Sequence, residues 1–197
     1  MPKKLLVLSF YYPPDLSAGS FRTESLVNTL VDQFPEVMID VVTTQPNRYS
    51  TFCARAESIE KQSRVTVKRI RLPRHKSGIL DQAFASVTFA RHAVKLISGN
   101  YDLVYATSSR LMTAVLGSWI SRRIKAPLYL DIRDIFVDSL EAVLPRIVCP
   151  VARLFFRRIE NWTFRHAVNI NLVSRGFEPY FKERFPNSRV SFFSNGI

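Results

Sequence analysis

The sequence predicts an α/β domain of the Rossmann-like type, with a mainly parallel sheet and helices on both faces. The first observation is a buried strand at residues 3–10, followed by a loop of small residues and a helix at 21–34. The second is that strand and helix patterns alternate along the whole chain, which is typical of parallel sheets. The third is bulk: 197 residues with 47% hydrophobic content indicate one folded domain with a sizeable core.

The remaining elements follow from short apolar runs and from helical periodicity. Strands are predicted at residues 37–43, 65–70, 103–106, 128–132, 168–173 and 190–193. Helices are predicted at residues 79–97, 111–124, 151–166 and 177–185. The strand at 65–70 alternates apolar and polar residues and is therefore expected near an edge. Residues 44–64 are predicted as a polar loop, and residues 135–144 as a short helix and loop.

The predicted helix at 151–166 carries Phe155, Ile159, Trp162 and His166 at a spacing that places them on one face. We expect His166 to be a hydrogen-bonded core residue.

Charge and cysteine content narrow the kind of partner. The formal net charge is +12, which favours nucleic acid, an anionic membrane surface or phosphorylated substrates. Cys53 and Cys149 form no metal motif and no disulfide framework, which fits a reducing cytosol. The N-terminal apolar run is too short for a signal peptide, and no stretch reaches the roughly 18 apolar residues of a membrane span.

Four loops are predicted at the carboxyl ends of the strands, where an open parallel sheet binds its ligands. They cover residues 13–22, 107–110, 131–134 and 174–176. The first loop opens a helix but lacks the glycine spacing of dinucleotide binders and the lysine of a P-loop. Together the loops supply hydroxyls, arginines, a carboxylate and glycines, which suit the binding of sugar hydroxyls and phosphates.

Five segments along the chain carry a family resemblance. They read YYPPDLSAGSFR, YDLVYATSS, APLYLDIRDIFVDS, IENWTFRHAVNINLVS and VSFFSNGI. In this order they resemble the N-terminal, acceptor-side domain of GT-B-fold glycosyltransferases of family 4. The sequence departs from the family pattern twice: Gly19 is followed by Ser20 in place of a second glycine, and Ser194 stands where the hinge has proline.

The resemblance implies a retaining glycosyltransferase that moves a sugar from a nucleotide-sugar donor to a growing, lipid-linked saccharide in surface polysaccharide biosynthesis. The N-terminal domain would end at the hinge near residue 197, and a C-terminal domain, absent from this chain, would bind most of the donor. The isolated chain is therefore expected to be inactive. The resemblance implies neither a metal nor a cofactor. By analogy, Gly19 and Ser20 approach the donor through backbone N–H groups, and Arg133 and Asp134 lie near the reacting sugar.

Each candidate residue also has a structural alternative. Four further candidates for substrate binding are Arg22, Ser108, Ser109 and Ser174. Ser20, Ser108, Ser109 and Asp134 could instead cap the helices that follow them. Arg22 could pair with Glu24 or Asp15, and Arg133 with Asp131 or Asp138.

Two segments are candidates for contact with an anionic membrane. The basic stretch 61–76 includes Lys68, Arg69, Arg71 and Arg74, and the apolar-basic stretch 143–158 includes Arg153, Arg157 and Arg158. A solvated strand edge and an ordinary packed helix with outward arginines are the alternatives. We expect a cytoplasmic protein at the inner face of the cell membrane.

Two rival functions remain open at this point. One is a non-catalytic domain that binds sugar phosphates or serves as a scaffold. The other is a nucleic-acid-binding module, which is disfavoured because no aromatic residues are interleaved with the basic stretch.

Overall fold

The computed structural model describes residues 3–47, 56–73, 79–108, 110–139, 144–145 and 147–194, and for residues 79, 80, 138 and 139 the backbone alone. Within these ranges the strands are β1 Lys3–Leu8, β2 Val37–Thr44, β3 Ile59–Gln62, β4 Val65–Ile70, β5 Leu103–Thr107, β6 Leu128–Ile132, β7 Asn169–Leu172 and β8 Val190–Phe192. The helices are α1 Ala18–Gln33, α2 Ile79–Leu96, α3 Leu111–Ile124, α4 Phe136–Ser139, α5 Cys149–Phe164 and α6 Glu178–Arg184. A short 3-10 turn, Arg175–Phe177, precedes α6.

The strands form one sheet in the order β3-β4-β2-β1-β5-β6-β7-β8. Every described neighbour pair is parallel except β3 and β4, so the predicted fold class is confirmed. The chain moves outward from β1 through β2 to β4, and then returns to β5 on the other side of β1. The switch point between β1 and β5 opens a crevice at the carboxyl edge, where ligands bind in this architecture.

The predicted loop at 44–64 is wrong in part, because it contains β3. This strand pairs with β4 in an antiparallel hairpin and is mostly exposed. The sequence of β3, IEKQ, does not alternate apolar and polar residues. An exposed edge strand can lack this pattern because backbone hydrogen bonds hold it in the sheet and it buries no side chains. Hydrophobic pattern alone could not reveal it.

The two faces of the sheet are covered differently. Among the described helices, α1 packs on one face through Val27, against the β-strand side chains of Leu5, Val7 and Val41. Helices α2, α3, α5 and α6 pack on the other face, where the core is larger. Gly117 of α3 sits against this face, and a Cβ at that position would lie 2.5 Å from Ala106 Cβ. The glycine therefore allows α3 to approach β5 closely.

The residues predicted to share one face of the helix at 151–166 are only partly on the packed side of α5, where Ile159 contacts the core. Phe155 and Trp162 are exposed, whereas Glu160, Thr163 and Phe164 are buried. The reason is that the helix carries apolar residues on two sides, and periodicity cannot tell which side meets the core. His166 lies just after the helix, half-buried, with Nε2 3.0 Å from Ser121 Oγ.

Candidate functional site

A buried ion pair lies beneath the carboxyl edge of the sheet. Asp131, at the end of β6, is fully buried. Its carboxylate accepts hydrogen bonds from Arg22 of α1, from Nε at 3.1 Å and from Nη2 at 3.2 Å. Asn171 of β7 donates a third hydrogen bond to the same carboxylate at 2.6 Å. Arg22 therefore pairs with neither Glu24 nor Asp15, because the sheet brings a buried carboxylate within its reach.

The same cluster extends to the last described residues. Arg22 Nη1 donates to the carbonyl of Ser194. Asn171 Oδ1 accepts the backbone N–H of Phe193 at 2.8 Å, and Asn171 Nδ2 lies 3.3 Å from the Phe193 carbonyl. Hydrogen bonds of this buried cluster thus connect α1 with β6, β7 and the segment after β8.

A groove of about 510 Å³ runs beside this cluster, between α1 and the sheet. Its floor includes Tyr105 and Tyr129, whose rings stack with centroids 5.6 Å apart. Burial raises the pKa of Tyr105 well above its usual range, and the nearby charge of Asp131 adds to the rise. Tyr105 is therefore a neutral hydroxyl at physiological pH.

Helix α1 begins three residues earlier than predicted, because Ser17 is its N-cap. The Ser17 hydroxyl accepts the backbone N–H of Ser20 at 3.1 Å. Ser20 is therefore not the N-cap of α1, and its N–H, which was predicted to approach the donor, is used within the cap in this structure. The Ser20 side chain is fully buried, and its Oγ has no hydrogen-bond partner among the described residues.

Gly19 and Arg133 lie against each other. A Cβ on Gly19 would be 2.9 Å from Arg133 Nη1, so the half-buried guanidinium covers the first turn of α1. Burial lowers the pKa of Arg133, while Asp131 acts in the opposite direction, and an arginine stays cationic at neutral pH. A positive guanidinium thus packs directly against the positive end of a helix dipole, and an anion bound beside the two would stabilise this arrangement.

Ser108 and Asp134 flank Arg133 in different ways. Ser108 is buried, and its Oγ accepts the backbone N–H of Arg133 at 2.9 Å. Its own N–H donates to the Asp131 carbonyl at 2.8 Å. Ser108 therefore fixes the β6 loop from the end of β5. Asp134 is exposed at the rim of the same edge.

The other candidates are placed less centrally or cannot be placed. Ser174 is exposed and caps the 3-10 turn, accepting the N–H of Gly176 at 3.1 Å. Several residues named in the sequence predictions lie outside the described residues: Ser109, Arg74, Cys53 and the closing residues 195–197.

Three polar residues of the cluster were missed as site candidates: Tyr105, Asp131 and Asn171. In the sequence, Asp131 and Asn171 are polar residues inside otherwise apolar strands. A polar side chain in a buried strand needs a hydrogen-bond partner. The sequence did carry a signal for them, but not the identity of the partners.

Arg110 was also missed, although it lies in one of the predicted loops. Its guanidinium stacks 4.1 Å over the Phe10 ring, and Nη2 donates to the Tyr11 hydroxyl at 3.0 Å. Nη1 is buried and has no hydrogen-bond partner within the described part of the chain. Arg110 thus adds a positive group, held by aromatic rings, to the same edge.

Two residues of the basic stretch 61–76 that were expected to contact a membrane form ion pairs within the sheet. Arg69 is buried and pairs with Glu60 at 2.8 Å, and Lys68 pairs with Asp40 at 3.3 Å. Their charges are turned inward by the sheet, so they do not present a surface to a membrane. Arg71, Arg157 and Arg158 are exposed, and Arg153 is half-buried.

No group of three or more histidine, cysteine or acidic side chains is arranged to hold a metal ion in the described ranges. None of the described helices combines the length and the apolar character needed to cross a membrane.

A family model described as "Glycosyl transferase 4-like domain" matches residues 19–196. No curated protein matches the chain.

Solved structures are similar in fold at low identity. Sucrose-phosphate synthase from Thermosynechococcus elongatus matches with a TM-score of 0.65 and 10% identity, over 98% of this chain and 48% of that one. The catalytic domain of starch synthase IV from Arabidopsis thaliana, bound to ADP and acarbose, gives 0.64 and 11%, over 99% and 52%. A UGT from Arabidopsis thaliana complexed with UDP gives 0.58 and 13%, over 98% and 48%. The chain spans about half the length of these three structures.

Proposed function

The chain belongs to the glycosyl transferase 4-like family, and from this premise we propose that it is the acceptor-side domain of a retaining glycosyltransferase. Its substrates would be a nucleotide-sugar donor and a saccharide acceptor. Structures of similar fold were solved with UDP or with ADP and acarbose, which supports a nucleotide-linked donor and a sugar acceptor.

The observation that carries the proposal is the position of Arg133 over the first turn of α1. Two positive features, a guanidinium and a helix N-terminus, face one space at the carboxyl edge near the switch point of the sheet. A phosphate group of the donor is the ligand that such a space would stabilise best. Gly19 matters because a side chain there would displace the guanidinium.

The neighbouring residues would serve Arg133 and the reacting sugar. Asp134, exposed at the rim, is proposed to bind a hydroxyl of the transferred sugar, since a carboxylate accepts such hydrogen bonds. Ser108 would hold the Arg133 backbone, and Arg22 would hold Asp131. Arg22 and Ser108 are thus positioning residues. Ser174 is exposed at the end of the carboxyl edge of the sheet that lies away from Arg133, and only from there would it contact the acceptor.

We assign most of the donor contacts to a second domain. The chain matches 48% of the sucrose-phosphate synthase chain, which supports a partner half of similar size. On this proposal the isolated chain is inactive, and turnover of a nucleotide-sugar by these 197 residues at an ordinary enzymatic rate would contradict it. We further propose a lipid-linked acceptor at the cytoplasmic face of the membrane, within surface polysaccharide biosynthesis.

Pyrophosphate binding tests the anion site directly in the isolated chain. We expect saturable NMR shift changes for residues of the first turn of α1 on titration with pyrophosphate. Arg133→Gln should weaken this binding about tenfold, because a charge-assisted contact is lost. The matched control is Arg123→Gln, which removes an exposed arginine near the end of α3. Equal affinity in the wild type and Arg133→Gln would overturn the proposed site.

A further inference from the structure

Helix α5 has two apolar faces. One packs on the core, where Phe164 is buried and Phe156 and Ile159 are partly buried. The other, which we call the outer face of α5, is open to solvent and begins in the turn just before the helix. Its members and their exposed fractions are Ile147 91%, Val148 49%, Val151 72%, Leu154 54% and Phe155 58%.

The spacing of these residues makes them one surface. Val148, Val151 and Phe155 are three and four positions apart, so they lie on successive turns of one side of the helix. Leu154 borders them. A run of large apolar side chains, each about half exposed or more, is uncommon on the surface of a monomer and marks an interaction site. This observation separates the two alternatives left by the sequence, because an ordinary packed helix would expose its arginines and bury these residues.

The exposed charged residues of α5 itself are all of one sign. The single acidic residue of α5 is Glu160, which is buried and paired with Arg184 at 2.7 Å. Arg157 and Arg158 are exposed, and Arg158 follows Phe155 by one turn on the same side. An apolar stripe with exposed arginines, on a helix that exposes no acidic residue, complements an anionic lipid surface, in which apolar side chains enter the acyl boundary and arginines contact headgroups.

The topology places this face near the candidate site. Helix α5 follows β6 and α4 and leads back to the start of β7, so its N-terminal half lies toward the carboxyl edge of the sheet. The exposed residues are concentrated in that half. We propose that the outer face of α5 docks the protein on an anionic membrane surface, with the carboxyl edge close to the bilayer. Docking does not depend on the proposed sugar transfer; only its use for a lipid-linked acceptor rests on that function.

Vesicle binding tests the proposal with the full chain. We expect the wild type to co-sediment with vesicles of phosphatidylcholine that contain phosphatidylglycerol, and to bind pure phosphatidylcholine much more weakly. Val151→Ser with Phe155→Ser should weaken binding about tenfold or more, since two inserted side chains are lost. The matched control is Ile59→Ser with Phe34→Ser, which changes an exposed β-branched residue on β3 and an exposed phenylalanine at the end of α1.

A second pair of variants tests the charge. Arg157→Gln with Arg158→Gln should reduce binding to the anionic vesicles, whereas Lys61→Gln with Arg71→Gln, which removes equal charge from the rival basic stretch, should not. Both pairs are exposed, so the fold is expected to survive. The proposal is overturned if the wild type does not bind anionic vesicles. It is equally overturned if each control pair loses as much binding as its partner, or if the outer face is instead covered by a second copy, seen as a dimer that Phe155→Ser dissociates.

Discussion

Arg22 donates two hydrogen bonds to the buried carboxylate of Asp131, from Nε to Oδ2 at 3.1 Å and from Nη2 to Oδ1 at 3.2 Å. The Asp131 side chain is 1% exposed and that of Arg22 15%. The pair joins α1 to β6, which are 109 residues apart in sequence.

Breaking this pair should destabilise the fold strongly. Arg22→Gln leaves the Asp131 carboxylate buried without its cationic partner and with only neutral side-chain donors such as Asn171 among its described hydrogen bonds. We expect a loss of about 3–5 kcal/mol in the free energy of unfolding. Urea denaturation measures it. Arg123→Gln, at an exposed position, should change stability by less than about 0.5 kcal/mol. A loss below about 1 kcal/mol for Arg22→Gln would show that the pair does not stabilise the fold.

The close approach of α3 to β5 gives a second prediction. Gly117→Ala places a Cβ 2.5 Å from Ala106 Cβ, so α3 must shift, and we expect a loss of about 1–3 kcal/mol. Adding Ala106→Gly should restore part of the loss, since it removes the opposing atom. Gly176→Ala is the control, because its added Cβ meets only Ser174 Oγ at 3.4 Å. Thermal unfolding of the wild type and these three variants measures the effect, and an unchanged melting temperature for Gly117→Ala would contradict the geometry.

Gly19→Ala should lower the affinity for an anion while leaving the stability of the fold nearly unchanged. Its Cβ would lie 2.9 Å from Arg133 Nη1, the end of a flexible side chain that can move aside. We therefore expect a stability change of less than about 1 kcal/mol, which alanine's higher helix propensity partly offsets. Pyrophosphate affinity, measured by NMR titration, should nevertheless fall because the guanidinium is displaced. Undiminished affinity would show that the anion does not bind beside Gly19 and Arg133.

The stability of the protein should decrease as pH falls below neutrality, in part through His166. Burial, followed by the positive charge of Arg122, lowers the pKa of His166 below its usual value of 6.5. The unfolded chain therefore takes up this proton at a higher pH than the folded protein does. The contribution is fully present above about pH 6.5 and is lost as pH falls through the folded-state pKa.

Urea denaturation at pH values of about 7.5 and about 5.5 measures this loss. The loss should shrink in His166→Gln and remain in the control His92→Gln, which changes an exposed histidine of α2. An identical pH dependence in wild type and His166→Gln would rule out His166 as a source.

The sequence predicted where the candidate site lies in the fold, but it predicted few of the contacts between the residues of that site. The loops at the strand ends were predicted because apolar runs end where polar residues begin, and Gly19, Arg133 and Ser108 do lie together at that edge. The alternative of Ser20 as the N-cap of α1 is wrong, because Ser17 takes that position and the local pattern does not decide between the two serines. The surface role of Lys68 and Arg69 failed because Asp40 and Glu60 are brought to them by neighbouring strands.

The sequence by itself determined the fold class, the order of most elements and the edge at which a ligand would bind. These follow from local periodicity and from the rule that parallel strands share one carboxyl edge. The tertiary structure alone decided which charges are neutralised and which faces are left open: Arg22 meets Asp131 across the sheet, and α5 buries one apolar side while exposing the other. Such pairings depend on the three-dimensional packing of residues far apart in the chain, which local sequence patterns do not record.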